Sequence, residues 1–400
     1  MSSVSSLQSE PTDRREDRQK LRVLMLVPRW ESGGMEGYLQ TLLNNQPEDF
    51  ALGIASMSTT IIDDLSCTCS GPLSQRRRAT QDLLNTNALK KYLRAFNADI
   101  IHIHASNATS FVQASAAKMA GVPVRIVHSH NASLAPNNLV AKKVANRMLS
   151  FAYRNSETDR WACSTIAAQH LFGTSSSVFT AKNGIDTTRF RFDAKRRAAT
   201  RQSLGIAEQT LLVGFLGRFT TQKNPERVLS LFKTILEKTP QASLLMLGEG
   251  HLRKKVIRQS KALGIADHCI IPGTTSQPEC YYDACDLLLA PSLFEGLPLT
   301  LVEAQCSGLP IVASSSISEE IVLNQTCLRL SLECSDEQWV CACLDVARSH
   351  NRFQAYRSIQ KNGYDARETA ARVFDRYRQL YARAVTESSA KRPRGGFELS

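Results

Sequence analysis

The sequence predicts an α/β protein made of two doubly wound parallel-sheet domains facing a cleft. Three observations predict it. The chain has 400 residues, more than one ordinary core accommodates. Short β-rich runs alternate with helical patterns, as in parallel sheets covered on both faces. That alternation occurs twice, on either side of a segment rich in charge and turn residues, Asn183 to Ala207.

Residues 1–20 read as a disordered tail, being polar and charged with little apolar content. The first domain, residues 21–185, carries the runs RVLMLV from Arg22, ALGIAS from Ala51, DIIHIH from Asp99, VRIVHS from Val124, RWAC from Arg160 and SVFTAK from Ser177. The stretch TIIDDLSCTCSGPL from Thr60 fits none of these patterns. The second domain, residues 205–365, carries LLVGFLG from Leu211, SLLMLG from Ser243, HCIIPG from His268, DLLLAP from Asp286, PIVAS from Pro310 and CLRLS from Cys327. Val373, Phe374, Tyr377, Leu380 and Tyr381 then recur at helical spacing within 366–385, a closing helix. Residues 386–400 read as a second tail, with a basic stretch at Lys391 to Arg394.

Composition narrows the function classes. The formal charge is +12, which suits phosphorylated ligands, nucleic acid or anionic membrane. The excess is concentrated: between Gln75 and Asn155 twelve Lys and Arg face only Asp82 and Asp99. No aromatic ladder accompanies this basic window, which argues against nucleic acid. The eleven cysteines show no zinc-site spacing, and the polar start carries no secretory signal, so reduced thiols in a cytoplasmic protein are expected. No run approaches the ~18 apolar residues of a membrane span.

Ligands of open parallel sheets bind beyond the carboxyl ends of the strands, and four segments stand there. In PRWESGGME, Gly33 and Gly34 precede a helical pattern and let backbone N–H groups approach a phosphate. In GRFTTQKN, Arg218 and Lys223 flank a turn where two cations can clamp a diphosphate. In FEGLPLTLVEA, Glu295 and Glu303 lie on one loop and the helix after it, an arrangement suited to gripping sugar and ribose hydroxyls. In VRIVHSHNAS, His128 and His130 share one side of a strand end, but no third metal ligand is near in sequence, so no metal site is expected.

The spacing Glu295–x7–Glu303 inside EGLPLTLVEAQCSGLPIVAS resembles glycosyltransferase family 4 of the GT-B fold. GRFTTQKN, LGEG at Leu247 and NGID at Asn183 resemble it too, and the likeness runs from about Leu21 to Ala384. HSHN and the EGLPL variant are most similar to the capsular and exopolysaccharide branch. The resemblance implies two Rossmann-like domains, acceptor-binding then donor-binding, with the last helix crossing back to the first. It implies a retaining sugar transfer from a nucleotide diphosphate donor, with no cofactor. Arg218 and Lys223 match the pair on the donor diphosphate. Glu295 matches the carboxylate on the donor sugar, with Gly296, Leu297, Pro298 and Leu299 giving backbone contacts. Glu303 matches the ribose ligand, Gly33 and Gly34 the glycine loop, and His130 the active-site histidine. Two positions depart from the pattern: Leu297 and Pro298 stand where many members have an aromatic residue and glycine, and Gly37 stands where many have arginine.

The leaving diphosphate gains charge, which some enzymes neutralise with a metal held by Asp-x-Asp. This chain has no Asp-x-Asp, so Arg218, Lys223 and helix N-termini are expected to replace the metal. A nucleotide-sugar epimerase of the same architecture is the rival reading. The pattern LVAKKVANRMLSFAYR adds a basic amphipathic helix: Val140, Val144, Met148 and Phe151 form a stripe, with Lys142, Lys143 and Arg147 beside it. An anionic membrane surface and a lipid-linked saccharide acceptor at the inner face of the plasma membrane are expected from it; a soluble acceptor is the alternative.

Overall fold

The computed structural model describes residues 20–28, 34–56, 86–105, 107–130, 140–347 and 352–390. The first half runs β1 (Leu21–Val27), α1 (Gly34–Asn44), β2 (Phe50–Ser56), α2 (Thr86–Phe96), β3 (Ile100–Ala105), α3 (Thr109–Ala120), β4 (Val124–Ser129), α4 (Val140–Ala152), β5 (Asp159–Ala162), α5 (Thr165–Phe172) and β6 (Phe179–Thr180). The second half runs α6 (Ala194–Ser203), β7 (Leu212–Leu216), α7 (Pro225–Lys238), β8 (Ser243–Leu247), α8 (Arg253–Ala262), β9 (Cys269–Gly273), α9 (Pro278–Ala284), β10 (Leu287–Ala290), α10 (Leu299–Cys306), β11 (Ile311–Ser314), β12 (Cys327–Leu330), α11 (Asp336–Val346), α12 (Ala355–Lys361) and α13 (Ala366–Ala390). The segment from Thr60, Gly33 and Arg76 to Arg78 lie outside the described residues.

Two six-stranded parallel sheets result, ordered β2-β1-β3-β4-β5-β6 and β12-β11-β10-β7-β8-β9. The strands are apolar throughout rather than alternating because helices cover both faces. On one face of the first sheet, Tyr38, Leu39 and Leu42 of α1 pack beside Val373, Phe374 and Tyr377 of α13. On the other, Leu89, Leu93 and Phe111 of α2 and α3 close the core. In the second sheet α7 and α11 cover one face through Phe232 and Trp339, and α10 covers the other through Leu301 and Val302. The run SVFTAK yields only a two-residue strand: β6 is the edge of the sheet, and the chain leaves it there for the second domain.

The link between the halves is fixed by charge and backbone pairing. Asp193 caps α6 by accepting from the amides of Lys195 and Arg196. Arg201 is buried at 1% exposure, donates to the carbonyls of Ala284, Ala207 and Thr210, and pairs with Asp286. Asp286 also accepts from the Leu212 amide, so α6 is bolted to the starts of β7 and β10. The chain then returns. The Ile185 amide donates to Tyr364 and the Ala366 amide to Ile185, beside the start of α13. α13 runs along the first sheet, where Arg376 pairs with Asp159 at 2.9 Å and Arg378 with Asp49 at 2.8 Å. A further tie joins the halves directly: the Thr165 amide, in the first turn of α5, donates to Glu320 at 3.0 Å, placing a carboxylate at a helix N-terminus. No disulfide forms among the described residues, and none of their helices is long and apolar enough to cross a membrane.

Candidate functional site

The order of the second sheet reverses between β7 and β10, so the loops following these strands lie side by side. Leu293 donates its amide to Gln222, Gln222 its side chain to the Phe294 carbonyl, and Asn224 its side chain to the Pro291 carbonyl. These three bonds zip the two loops together. Asn224 sits in the left-handed region, φ 53°, which turns the chain from the 3-10 turn Thr221–Lys223 into α7. The loop after β8 is drawn in as well. A side chain at Gly248 would meet the Gly217 carbonyl oxygen at 2.0 Å, and one at Gly250 the Phe219 carbonyl oxygen at 2.4 Å. The LGEG segment therefore needs glycine to pack on GRFT.

At this junction Lys223 and Glu295 form an ion pair, and the Ser292 hydroxyl donates to the same Glu295 oxygen at 3.0 Å. Both side chains are mostly sheltered, and with Ser292, Pro298 and Thr300 they line a pocket floored by Leu216 and Ala290. Arg218, on the loop after β7, is exposed and forms no ion pair among the described residues. No side chain caps α10, whose first turn begins at Leu299 right after Gly296, Leu297 and Pro298. Lys223 and the residues at the open start of α10 thus line one concavity, a suitable seat for a diphosphate.

Glu303 lies one turn deeper on α10. The Tyr282 hydroxyl donates to it at 2.8 Å. Burial raises the Glu303 carboxyl above its usual range, and the Tyr282 bond and Arg189 oppose that. Arg189 is itself paired with Glu279 at 2.8 Å. The two glutamates thus occupy different environments: Glu295 salted to a lysine, Glu303 held by a phenol.

Across the cleft, Gly37 of α1 faces Leu299; a side chain there would lie 3.7 Å from the leucine. The position where many family members carry arginine therefore adjoins the loop assigned to the donor. His130 lies just past the end of β4, partly exposed, while His128 is fully buried. The sequence lacked a third ligand near this pair, and the structure supplies neighbours from β3. His104 pairs with His128 in the strand register, and its Nδ1 lies 2.8 Å from His130 Nε2. His102 Nε2 lies 2.9 Å from His128 Nδ1, and His102 Nδ1 lies 2.5 Å from the Tyr377 hydroxyl. Burial holds His102, His104 and His128 well below the ordinary histidine value and lowers His130 to about 3, so all four rings are neutral. The i, i+2 histidines of DIIHIH were the sequence signal for this cluster; only the pairing of β3 with β4 gives it meaning.

The basic amphipathic pattern folds as α4. Val144, Met148 and Phe151 are 51%, 68% and 65% exposed, so this stripe faces out of the protein. Leu149 and Tyr153 anchor the helix to the core instead. Arg147 is exposed, and the Arg154 guanidinium lies 4.2 Å from the Phe151 ring centroid. Lys142 and Lys143 lie in the first turn of the same helix.

Residues 196–326 match the family model for glycosyl transferases group 1. The protein named glycosyltransferase EpsF in Bacillus subtilis (strain 168) is 29% identical over 284 residues, covering 69% of this chain and 74% of that protein. An Escherichia coli UDP-Gal:alpha-D-GlcNAc-diphosphoundecaprenol alpha-1,3-galactosyltransferase is 25% identical over 243 residues, 59% of this chain and 62% of that one. Among solved structures, Anabaena HepE in complex with UDP-glucose aligns over 90% of this chain and 100% of its own, with TM-score 0.69 and 16% identity. Sucrose-phosphate synthase from Thermosynechococcus elongatus aligns over 91% and 100%, with TM-score 0.70 and 15% identity. At such identities the structural likeness speaks for the fold.

Proposed function

We propose that the chain is a GT-B glycosyltransferase that transfers a hexosyl group from a nucleotide diphosphate donor to a lipid-linked saccharide acceptor, with retention, in surface polysaccharide assembly. The observation that carries this reading is the junction of the β7 and β10 loops, where Lys223, Glu295 and the open start of α10 share one concavity, with Arg218 exposed on the loop after β7. Breaking the sugar–phosphate bond leaves negative charge on the diphosphate. Lys223, Arg218 and the α10 amides stabilise that charge where it grows, without a metal in the donor site. Glu295, on the same loop, holds the donor sugar hydroxyls, and the Gly296–Leu299 backbone lies along it. Glu303, kept in place by Tyr282, accepts from the ribose hydroxyls. On the acceptor side His130 contacts the sugar at the cleft, and Gly34 opens α1 toward the phosphate. Glu295 is paired with Lys223, and on this reading the departing phosphate takes the acceptor proton.

The lipid-linked acceptor is supported by the outward stripe of α4 and by the diphosphoundecaprenol named for the Escherichia coli relative. On this reading the enzyme works at the cytoplasmic face of the plasma membrane. A panel of nucleotide sugars, scored by thermal shift and then by product analysis with and without lipid-linked acceptor, tests the proposal. Transfer to the acceptor is expected. Conversion of the donor alone into another nucleotide sugar would instead identify an epimerase.

A further inference from the structure

The first domain holds a polar cluster that the transfer reaction does not explain. His102 and His104 on β3 and His128 on β4 project from the same sheet face, because residues two apart in a strand point the same way, and His130 follows just past the end of β4. The ring centroids of His102 and His104 are 4.4 Å apart, those of His128 and His130 4.0 Å. His102, His104 and His128 are 0%, 2% and 0% exposed. A ring nitrogen from each of these three lies within 4.8 Å of the other two.

Hydrogen bonding leaves the cluster unfinished. The contacts to Tyr377, between His102 and His128, and between His104 and His130 use some of the ring nitrogens. His104 Nε2, His128 Nε2, His130 Nδ1 and the Tyr38 hydroxyl have no partner among the described residues. Tyr38 lies edge-on to all four imidazoles, at 5.2 to 6.4 Å between centroids. A buried polar atom left without a partner is costly, so these four call for a ligand.

We propose that this cluster is a binding site for one divalent transition-metal ion of the zinc class, held by ring nitrogens of His102, His104 and His128. The donor chemistry selects the ion. The three residues offer only imidazole nitrogen, which suits Zn2+, Co2+ or Ni2+ and not Mg2+ or Ca2+, which prefer oxygen. The outer contacts of a histidine metal site are also present: His130 bonds His104, and the Tyr377 hydroxyl bonds His102 from α13. The Tyr38 ring stands edge-on beside the three ligand rings. The ion braces β3, β4, α1 and α13, and through His104 it fixes the ring of His130. It sits on the first sheet, apart from the cation pair that takes the donor diphosphate on the second.

The test uses the full chain without a polyhistidine tag. Elemental analysis after gel filtration is expected to give about one equivalent of zinc-class metal per chain. Cobalt exchange is expected to bring the visible d–d bands of a four-coordinate nitrogen site, without the near-ultraviolet charge transfer of a thiolate site. His104→Asn and His128→Asn are expected to lose the metal, and Tyr377→Phe to keep it. If a variant fails to fold, the cobalt spectrum of the wild type still decides. Folded wild type with under roughly a tenth of an equivalent and no cobalt bands overturns the site. So does metal that survives both histidine variants or shows thiolate charge transfer, since the cysteines would then hold it.

Discussion

Lys223 and Glu295 follow different strands of the second sheet, yet their side chains form an ion pair where the two loops meet. Neither is a core residue. Lys223→Ala and Glu295→Ala are therefore expected to keep the fold, read as unchanged circular dichroism, and to lower transfer about a hundredfold or more, the usual effect of deleting a transition-state contact. Glu295→Gln separates the roles: it keeps a hydroxyl-binding group but frees Lys223. Near-wild-type turnover in either alanine variant removes these residues from the site.

Glu303 is expected to act on binding. It accepts from Tyr282 and sits beneath the loop that carries Glu295. A hydrogen bond to a charged group is worth about 1.5–3 kcal/mol, so Glu303→Ala should raise the donor KM by roughly ten- to a hundredfold with a smaller change in kcat. Tyr282→Phe should give a weaker form of the same effect. A loss confined to kcat would assign Glu303 to the chemical step instead.

Transfer is expected to survive assay in excess EDTA. The diphosphate charge has Lys223, Arg218 and the start of α10 to meet it, and the inferred metal site lies buried on the other sheet. Loss of activity restored by magnesium would show that an ion bridges the donor after all.

The closing helix carries stability. Phe374 is 1% exposed and packs on Phe50 at 4.8 Å between ring centroids. Phe374→Ala is expected to cost about 3–5 kcal/mol and to lower the denaturation midpoint of the first domain. Val385→Ala, at 46% exposure on the same helix, should change stability by no more than about 0.5 kcal/mol. Equal effects at both positions would mean the helix contributes no core.

The strands were readable because each is a short apolar run closed by glycine, proline or a polar turn, and burial on both faces removes alternation. The proposed donor loop stood out in the sequence because Glu295 and Glu303 lie on one continuous segment. What a linear reading lacks is lateral register. DIIHIH and VRIVHSHN are separate strings until β3 pairs with β4 and sets His104 opposite His128. The zipping of Gln222 to Leu293 and Phe294 depends likewise on strand order, which periodicity does not encode. Periodicity also does not say which side of an amphipathic helix meets the core. Leu149 of α4, with Tyr153 just after it, meets the core, and the stripe the spacing picked out for a membrane faces outward.

That outward orientation sharpens the membrane prediction. Val144, Met148 and Phe151 are each more than half exposed, so they add apolar surface to the side of α4 that also shows Arg147. A helix of this kind lies in a lipid interface, its apolar residues among the acyl chains and its cations at the headgroups. Each Lys or Arg near an anionic surface contributes about 1 kcal/mol of attraction, falling off within a Debye length. Co-sedimentation with vesicles containing phosphatidylglycerol is expected at low salt and should fade as salt rises. Replacing Lys142, Lys143 and Arg147 by Glu should abolish it, since repulsion then replaces attraction. Met148→Ser with Phe151→Ser should weaken binding by a factor that changes little with salt, because the lost contribution is apolar. Transfer to a water-soluble acceptor analogue should stay unchanged in both sets, as none of these residues touches the donor site. If the wild type ignores anionic vesicles even at low salt, the stripe is not a membrane face, and a soluble acceptor replaces the lipid-linked one.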